Sequence, residues 1–313
     1  MEVIKISATA ILPLMAFMAL GYYFKKREYL NPVSTKQLNI ICFRFFLSVM
    51  CGETIYKANL KEDVQLLPVL IVAVSIMVTF FLCILIVPRF MKDKTQIPVM
   101  IQGIFKTNYA VLGIPIAQSI CGADNIGIVS VIAVVLVPLN NALAALVFEK
   151  YTGASTSVPK MILKVITNPL VMGSLIGLAL NLTGIRIPAW IMTGIVAKLS
   201  GLTTPLSLIA LGASFEFSSM RKYKVQLTWA MLGRLIIAPA IIIPVTVLLG
   251  VRGPGLVGVM IYAAAPNAVN SYSTAVAMGG DADLANEIVI LSSILSMLTL
   301  FLWFTAIGLT VGF

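Results

Sequence analysis

The 313-residue sequence contains no histidine. Its absence removes histidine zinc sites, Ser-His and Cys-His nucleophilic pairs and histidine proton relays. Charge is scarce too. Charged residues are 11% of the chain, where a soluble chain carries about a quarter. A soluble fold of this size could not cover its surface with so few charges, which excludes the soluble globular, disordered, fibrous and secreted disulfide-rich classes. Acids are the rarer sign, with 12 Asp+Glu against 22 Lys+Arg. The four cysteines, Cys42, Cys51, Cys83 and Cys121, form no CxxC pair, and three lie in strongly apolar stretches. They read as buried reduced thiols rather than a disulfide framework. No catalytic constellation and no cofactor motif is visible, so neither an enzyme nor a cofactor is expected.

What the chain has in abundance is apolar sequence: 59% hydrophobic residues and a mean hydropathy of +1.02. A membrane span needs about 20 mostly apolar residues. Cutting at charge clusters and Gly/Pro punctuation gives ten such runs, at 3–24, 37–56, 64–88, 97–120, 126–148, 161–182, 188–212, 226–249, 255–278 and 286–310. They are apolar all round, whereas barrel strands alternate over about 10 residues. The first run carries only Lys5 and ends in Lys25, Lys26 and Arg27. It is too long for a cleaved signal peptide and reads as a retained span. The expected fold class is an all-α integral membrane protein of ten helices.

The basic residues give an orientation. One set of alternate loops holds thirteen of them: Lys25, Lys26, Arg27 and Lys36; Arg89, Lys92 and Lys94; Lys150, Lys160 and Lys164; Arg221, Lys222 and Lys224. The opposite face holds Lys5, Lys57, Lys61, Arg186 and Arg252. The positive-inside rule puts the first set in the cytoplasm and both termini outside, in a cell membrane. Most of the net +10 is thus a topology signal, and nucleic acid is not an expected partner.

The chain also repeats itself. Pro13-Leu14 with Gly21 recurs as Pro169-Leu170 with Gly177, at an offset of 156. Gly122-Ala123-Asp124 recurs as Gly279-Gly280-Asp281, at 157. Two halves, 1–150 and 151–313, each hold five spans. An odd number makes the second half enter the membrane from the other side, which is the inverted repeat of many secondary transporters. Both span 4 and span 9 carry polar residues and a proline in apolar surroundings: Lys106, Asn108, Gly113 and Pro115 in one, Pro266, Asn267, Asn270 and Ser271 in the other. Breaks at equivalent places in the two halves point to a midplane binding site, because freed backbone groups survive only inside protein or beside a cavity. Lone prolines elsewhere, such as Pro205 and Pro244, read as kinks. Lys106 would attract a carboxylate, or else pair with a buried acid or carbonyl. Asn140 and Asn141 either bond between helices or line the site. Arg44 and Arg234 lie about seven residues from the cytoplasmic edge, close enough to snorkel towards it.

These motifs resemble the auxin efflux carrier family, with its bacterial malate and malonate permease relatives. The resemblance rests on Asn108 to Pro115 with Gly122, on Ala265-Pro266 through Ser271 to Ala277, on Gly280-Asp281, on Pro169-Leu170 with Gly177, and on Arg234-Leu235 with Pro239. It implies a 5+5 inverted repeat with helices 4 and 9 crossing at their prolines. It further implies a transport domain of helices 3–5 and 8–10, a scaffold of helices 1, 2, 6 and 7, a homodimer and an elevator motion. The implied substrate is a small organic anion. From the polar residues of the two breaks, with Asn141 beside them, the residues expected to hold it are Asn108, Lys106, Gly113, Pro115, Pro266, Asn267, Asn270, Ser271 and Asn141. Two features depart from the pattern: Leu47-Ser48 stand where a helix 2 proline is frequent, and only residues 149–160 replace the long loop of the plant carriers. A sodium-coupled bile-acid-type symporter and a membrane sensor without turnover remain alternatives.

Overall fold

The computed structural model describes residues 2–57, 65–122, 127–153, 167, 169–215 and 221–312, and among these every regular element is helical. In chain order they are α1 (Glu2–Lys26), α2 (Pro32–Lys57), α3 (Leu66–Phe90), α4 (Gln96–Phe105), α5 (Tyr109–Cys121) and α6 (Gly127–Thr152). There follow α7 (Pro169–Thr183), α8 (Ala189–Ala213), α9 (Lys224–Leu248), α10 (Gly253–Ala264), α11 (Asn270–Ala277) and α12 (Ala282–Thr310). Six of them, α2, α3, α6, α8, α9 and α12, are long and apolar enough to cross a membrane. The start of the span expected at 161–182 lies outside the described residues.

Local chemistry sets several of the ends. Asn31 caps α2: its side chain accepts from the Ser34 amide at 2.8 Å, and the Ser34 hydroxyl accepts from the Asn31 amide at 2.9 Å. Pro32 follows at a position that needs no donor. Asp281 caps α12 through the Leu284 amide, and Pro254 opens α10. Three helices widen for one turn into π geometry, α2 at Cys42–Phe46, α8 at Met192–Val196 and α9 at Leu232–Ile237. α3 turns Leu70, Val74, Val78, Phe81 and Leu85 outward and Ile76 and Phe80 inward, so its exposed face is apolar. Water would not favour that face and lipid tolerates it.

α1 lies against α8, and α2 against α7, with almost nothing between the backbones. A Cβ at Gly212 would overlap the Met18 carbonyl, and one at Gly21 the Ile209 carbonyl. Across the other pair, a Cβ at Gly177 would overlap the Gly52 carbonyl, and one at Gly173 the Ser48 carbonyl. These four positions require glycine because of close approach. The other side of the molecule is packed by large side chains. Ile101, Phe105, Tyr109, Leu112, Ile132, Met260, Ile261 and Phe304 are fully buried there, and Phe80 meets Phe105 edge-on at 5.3 Å.

Candidate functional site

The runs 97–120 and 255–278 each form two helices. α4 ends at Phe105 and α5 begins at Tyr109; α10 ends at Ala264 and α11 begins at Asn270. Lys106 leaves the helix at φ −82°, ψ 130°, and Ala265 does the same at φ −66°, ψ 152°. A break strands the last carbonyls of one half-helix and the first amides of the next. Here each break supplies partners to the other.

Asn108 donates its amide to the Pro266 carbonyl at 2.8 Å, a main-chain bond that joins the two gaps. Asn267 donates its side-chain nitrogen to the Gln102 and Lys106 carbonyls, at 2.9 and 3.0 Å, and so caps α4 from the opposite half of the chain. Its own amide donates to the Ser292 hydroxyl of α12 at 3.1 Å. Gln102 returns the arrangement, donating Nε2 to the Ser271 carbonyl at 3.0 Å. Asn270 donates to the Asn141 side-chain oxygen at 3.4 Å, which ties α11 to α6.

Arg234, from the π segment of α9, is 1% exposed. Its Nε donates to the Ala265 carbonyl at 2.8 Å, Nη1 to those of Ile104 and Phe105 at 3.3 and 3.5 Å, and Nη2 to that of Tyr262. Arg234 therefore does not snorkel. Main-chain carbonyls draw it inward, because the stranded ends of α4 and α10 offer a buried cation more than the distant interface does. Arg44, by contrast, is exposed.

Several polar atoms at the crossing stay buried with no hydrogen-bond partner among the described residues. They are Lys106 Nζ, Thr107 Oγ1, Asn108 Nδ2, Asn267 Oδ1, Asn270 Oδ1, Ser271 Oγ and Gln102 Oε1. Lys106 is 1% exposed, and among the described residues the ion pair is Glu53 with Lys57 at 2.7 Å, on α2. Neither N-cap residue, Asn108 of α5 nor Val269 of α11, makes a side-chain cap bond to its helix.

The crossing thus brings together Lys106, Asn108, Pro266, Asn267, Asn270, Ser271 and, through Asn270, Asn141. Gly113 lies in α5, closely packed: a Cβ there would sit 3.1 Å from Ile261 Cγ2 and 3.4 Å from the Tyr109 ring. Pro115 is the seventh residue of α5 rather than a member of the break. The chain opens at Lys106–Asn108 because the carbonyls there find side-chain partners, so no proline is needed in that gap. Arg234, Gln102 and Ser292 take part without having been expected. Gln102 and Ser292 had a signal in the sequence, as polar side chains within apolar runs.

The chain matches the sequence profile of the family described as membrane transport protein over residues 6–152 and 153–304. It is 23% identical over 299 residues to an uncharacterized transporter of Methanothermobacter thermautotrophicus, covering 95% of this chain and 97% of the relative. With its long apolar helices and a family match across both halves, the chain belongs to the membrane transport protein family, the auxin efflux carrier family that its motifs resemble, and is a multi-pass membrane transporter.

Proposed function

We propose that the protein is a secondary carrier of small organic anions, carboxylates or auxin-like acids, bound where α4/α5 crosses α10/α11. One observation carries this reading: the Lys106 ammonium is buried with no partner among the described residues, and so, two residues on in the same break, is the amide nitrogen of Asn108. A central charge costs at least about 2.5–3.5 kcal/mol in a membrane and faces an interior or a cavity. A carboxylate would give Lys106 its counter-charge, and Asn108, Thr107 and Ser271 its hydrogen bonds. The uncapped N-termini of α5 and α11 add positive potential.

We read the chain as ten spans in a 5+5 inverted repeat, with α1, α2, α7 and α8 as scaffold and the rest as the transport domain. The glycine seams support this. Gly21 and Gly177 are equivalent at the offset of 156, and the carbonyls they abut, Ile209 and Gly52, differ by 157. One contact therefore recurs in both halves. The hydrogen bonds across the crossing favour motion of the transport domain as one body, an elevator, between scaffolds that pair in a homodimer. Both termini lie outside the cell membrane in this arrangement. Uptake of labelled malate, malonate and indole-3-acetate into proteoliposomes tests the reading. Full activity in the double variant Asn108→Ala, Pro266→Ala would sink the site.

A sodium-coupled organic-anion symporter is the second reading. The unpartnered oxygens of Gln102, Asn267 and Asn270 favour it, being ligands that suit a hard cation. Uptake that requires sodium would select it.

A further inference from the structure

Arg234 has no part in the carrier reading above, yet it is the largest fully buried side chain among the described residues. Its acceptors are of one kind. Ile104 and Phe105 end α4, and Tyr262 and Ala265 lie at the end of α10. These are the carbonyls that a helix C-terminus leaves without amides, and the negative end of each helix dipole collects on them. A guanidinium presents five donors in a rigid fork, enough to reach two helix ends at once; an ammonium is a point charge with three. The Tyr262 ring, 5.6 Å from the guanidinium carbon, covers one face of it. The π segment at Leu232–Ile237 widens α9 where Arg234 leaves it, a local form frequent at functional positions.

We propose that Arg234 is a positioning residue of the binding site. It fastens the C-terminal ends of α4 and α10 to each other and cancels their negative ends. The positive N-terminal ends of α5 and α11 are then left to act on the substrate.

The crossing assembles four helix ends, two of each sign. Without a cation on the negative pair, the four nearly cancel, and the site offers little to an anion beyond Lys106. With Arg234 in place, the balance is positive on the side where Lys106, Asn108 and Ser271 lack partners. Arg234 contributes to anion affinity without touching the anion. Charge and fork have separate duties: the charge sets the affinity, and the fork fixes the distance between the two breaks.

Three variants separate these duties: R234K keeps the charge and loses the fork, R234Q keeps an amide donor and loses the charge, and R234M loses both. The first readout is hydrogen–deuterium exchange of the full-length protein in detergent over residues 104–109 and 262–268. It needs no substrate. R234M, R234Q and R234K all accelerate exchange in both segments together, because each loses the fork. The second readout is malonate uptake into proteoliposomes, which rests on the carrier reading. R234Q raises KM about 10-fold and lowers kcat by less than that, while R234K stays within about 3-fold of the wild-type KM. Exchange that rises in only one segment, or equally along the whole chain, overturns the joint fastening. A KM in R234K as impaired as in R234Q overturns the charge duty. If R234M does not fold, R234K and R234Q decide both points. If the wild type moves none of malonate, malate and indole-3-acetate, the carrier reading fails and the exchange result still stands or falls on its own.

Discussion

Where α1 lies on α8 and α2 on α7, backbone meets backbone and no side chain has room to intervene. Where α4/α5 crosses α10/α11, the helices come apart and polar groups fill the gap. The seams are what lipid favours: helices gain little by hiding apolar surface from apolar tails, so contact is won by close approach over small residues. The crossing departs from that rule. It buries an ammonium, four amide side chains and two hydroxyls with donors or acceptors unused, an arrangement that costs stability for each unmatched group. One region is built to stay shut. The other keeps unsatisfied chemistry in the interior of the protein, which is what the proposed carrier site needs.

The contrast breaks most visibly at the seams. Gly177→Leu would drive a side chain into the Gly52 carbonyl, and backbone cannot yield as a rotamer can. Overpacking of this kind costs about 1–3 kcal/mol where side chains can adjust and more where they cannot. The expected outcome is loss of the monodisperse peak of detergent-purified protein in size-exclusion chromatography. A variant that purifies like the wild type would mean that the seam is loose. At the crossing the sign reverses. Lys106→Met removes a buried unpartnered charge at similar length, so the melting temperature rises by several degrees, equivalent to about 2 kcal/mol, while malonate uptake falls at least 10-fold. If Lys106→Met instead lowered the melting temperature, the lysine would be a satisfied member of an ordinary core and the comparison would fail.

Much of this contrast was legible in the sequence. Gly21 and Gly177 stand out because they repeat with Pro-Leu before them, and Asn108 and Pro266 because polar residues interrupt apolar runs. Helical class follows from run length alone. Arg234 was not legible. Its position near a helix end suits an interfacial snorkel, and the carbonyls that hold it belong to residues such as Ile104 and Ala265, whose identities say nothing about acceptors. Main-chain chemistry leaves no mark in a string of side chains. The same reason hides the Asn108–Pro266 bond and the true edge of the break. A proline was expected to open span 4, whereas the opening lies at Lys106–Asn108 and Pro115 is within α5. Gly113 is ambiguous in the sequence, because glycine marks close packing and close ligand approach alike; in the structure it lies against Ile261.

A second polar cluster sharpens the comparison because it is built of polar side chains like the crossing and differs in having its partners. The Asp281 carboxylate accepts from the Tyr223 hydroxyl at 2.9 Å, from Gln96 Nε2 at 3.0 Å and from the Leu284 amide at 3.0 Å, and the Asp281 amide donates to the Thr95 carbonyl at 3.0 Å. Gln226 completes the set by donating to Gln96 Oε1 at 3.2 Å. These bonds bind the starts of α4, α9 and α12 at one end of the molecule. Burial, first of all, pushes the Tyr223 phenol above its usual range, so it remains a donor to the carboxylate at neutral pH. A satisfied cluster of this kind serves stability and leaves nothing over for a ligand. Asp281→Asn keeps the shape, weakens the cap on α12 and removes the charge that two side chains share. The expected cost is about 1 kcal/mol, read as a fall of a few degrees in melting temperature with the KM for malonate unchanged. This is the smallest of the three effects and the mirror image of Lys106→Met, which gains stability and loses transport. If Asp281→Asn altered the KM while sparing the melting temperature, the line between partnered and unpartnered polar groups would no longer divide structure from function in this molecule.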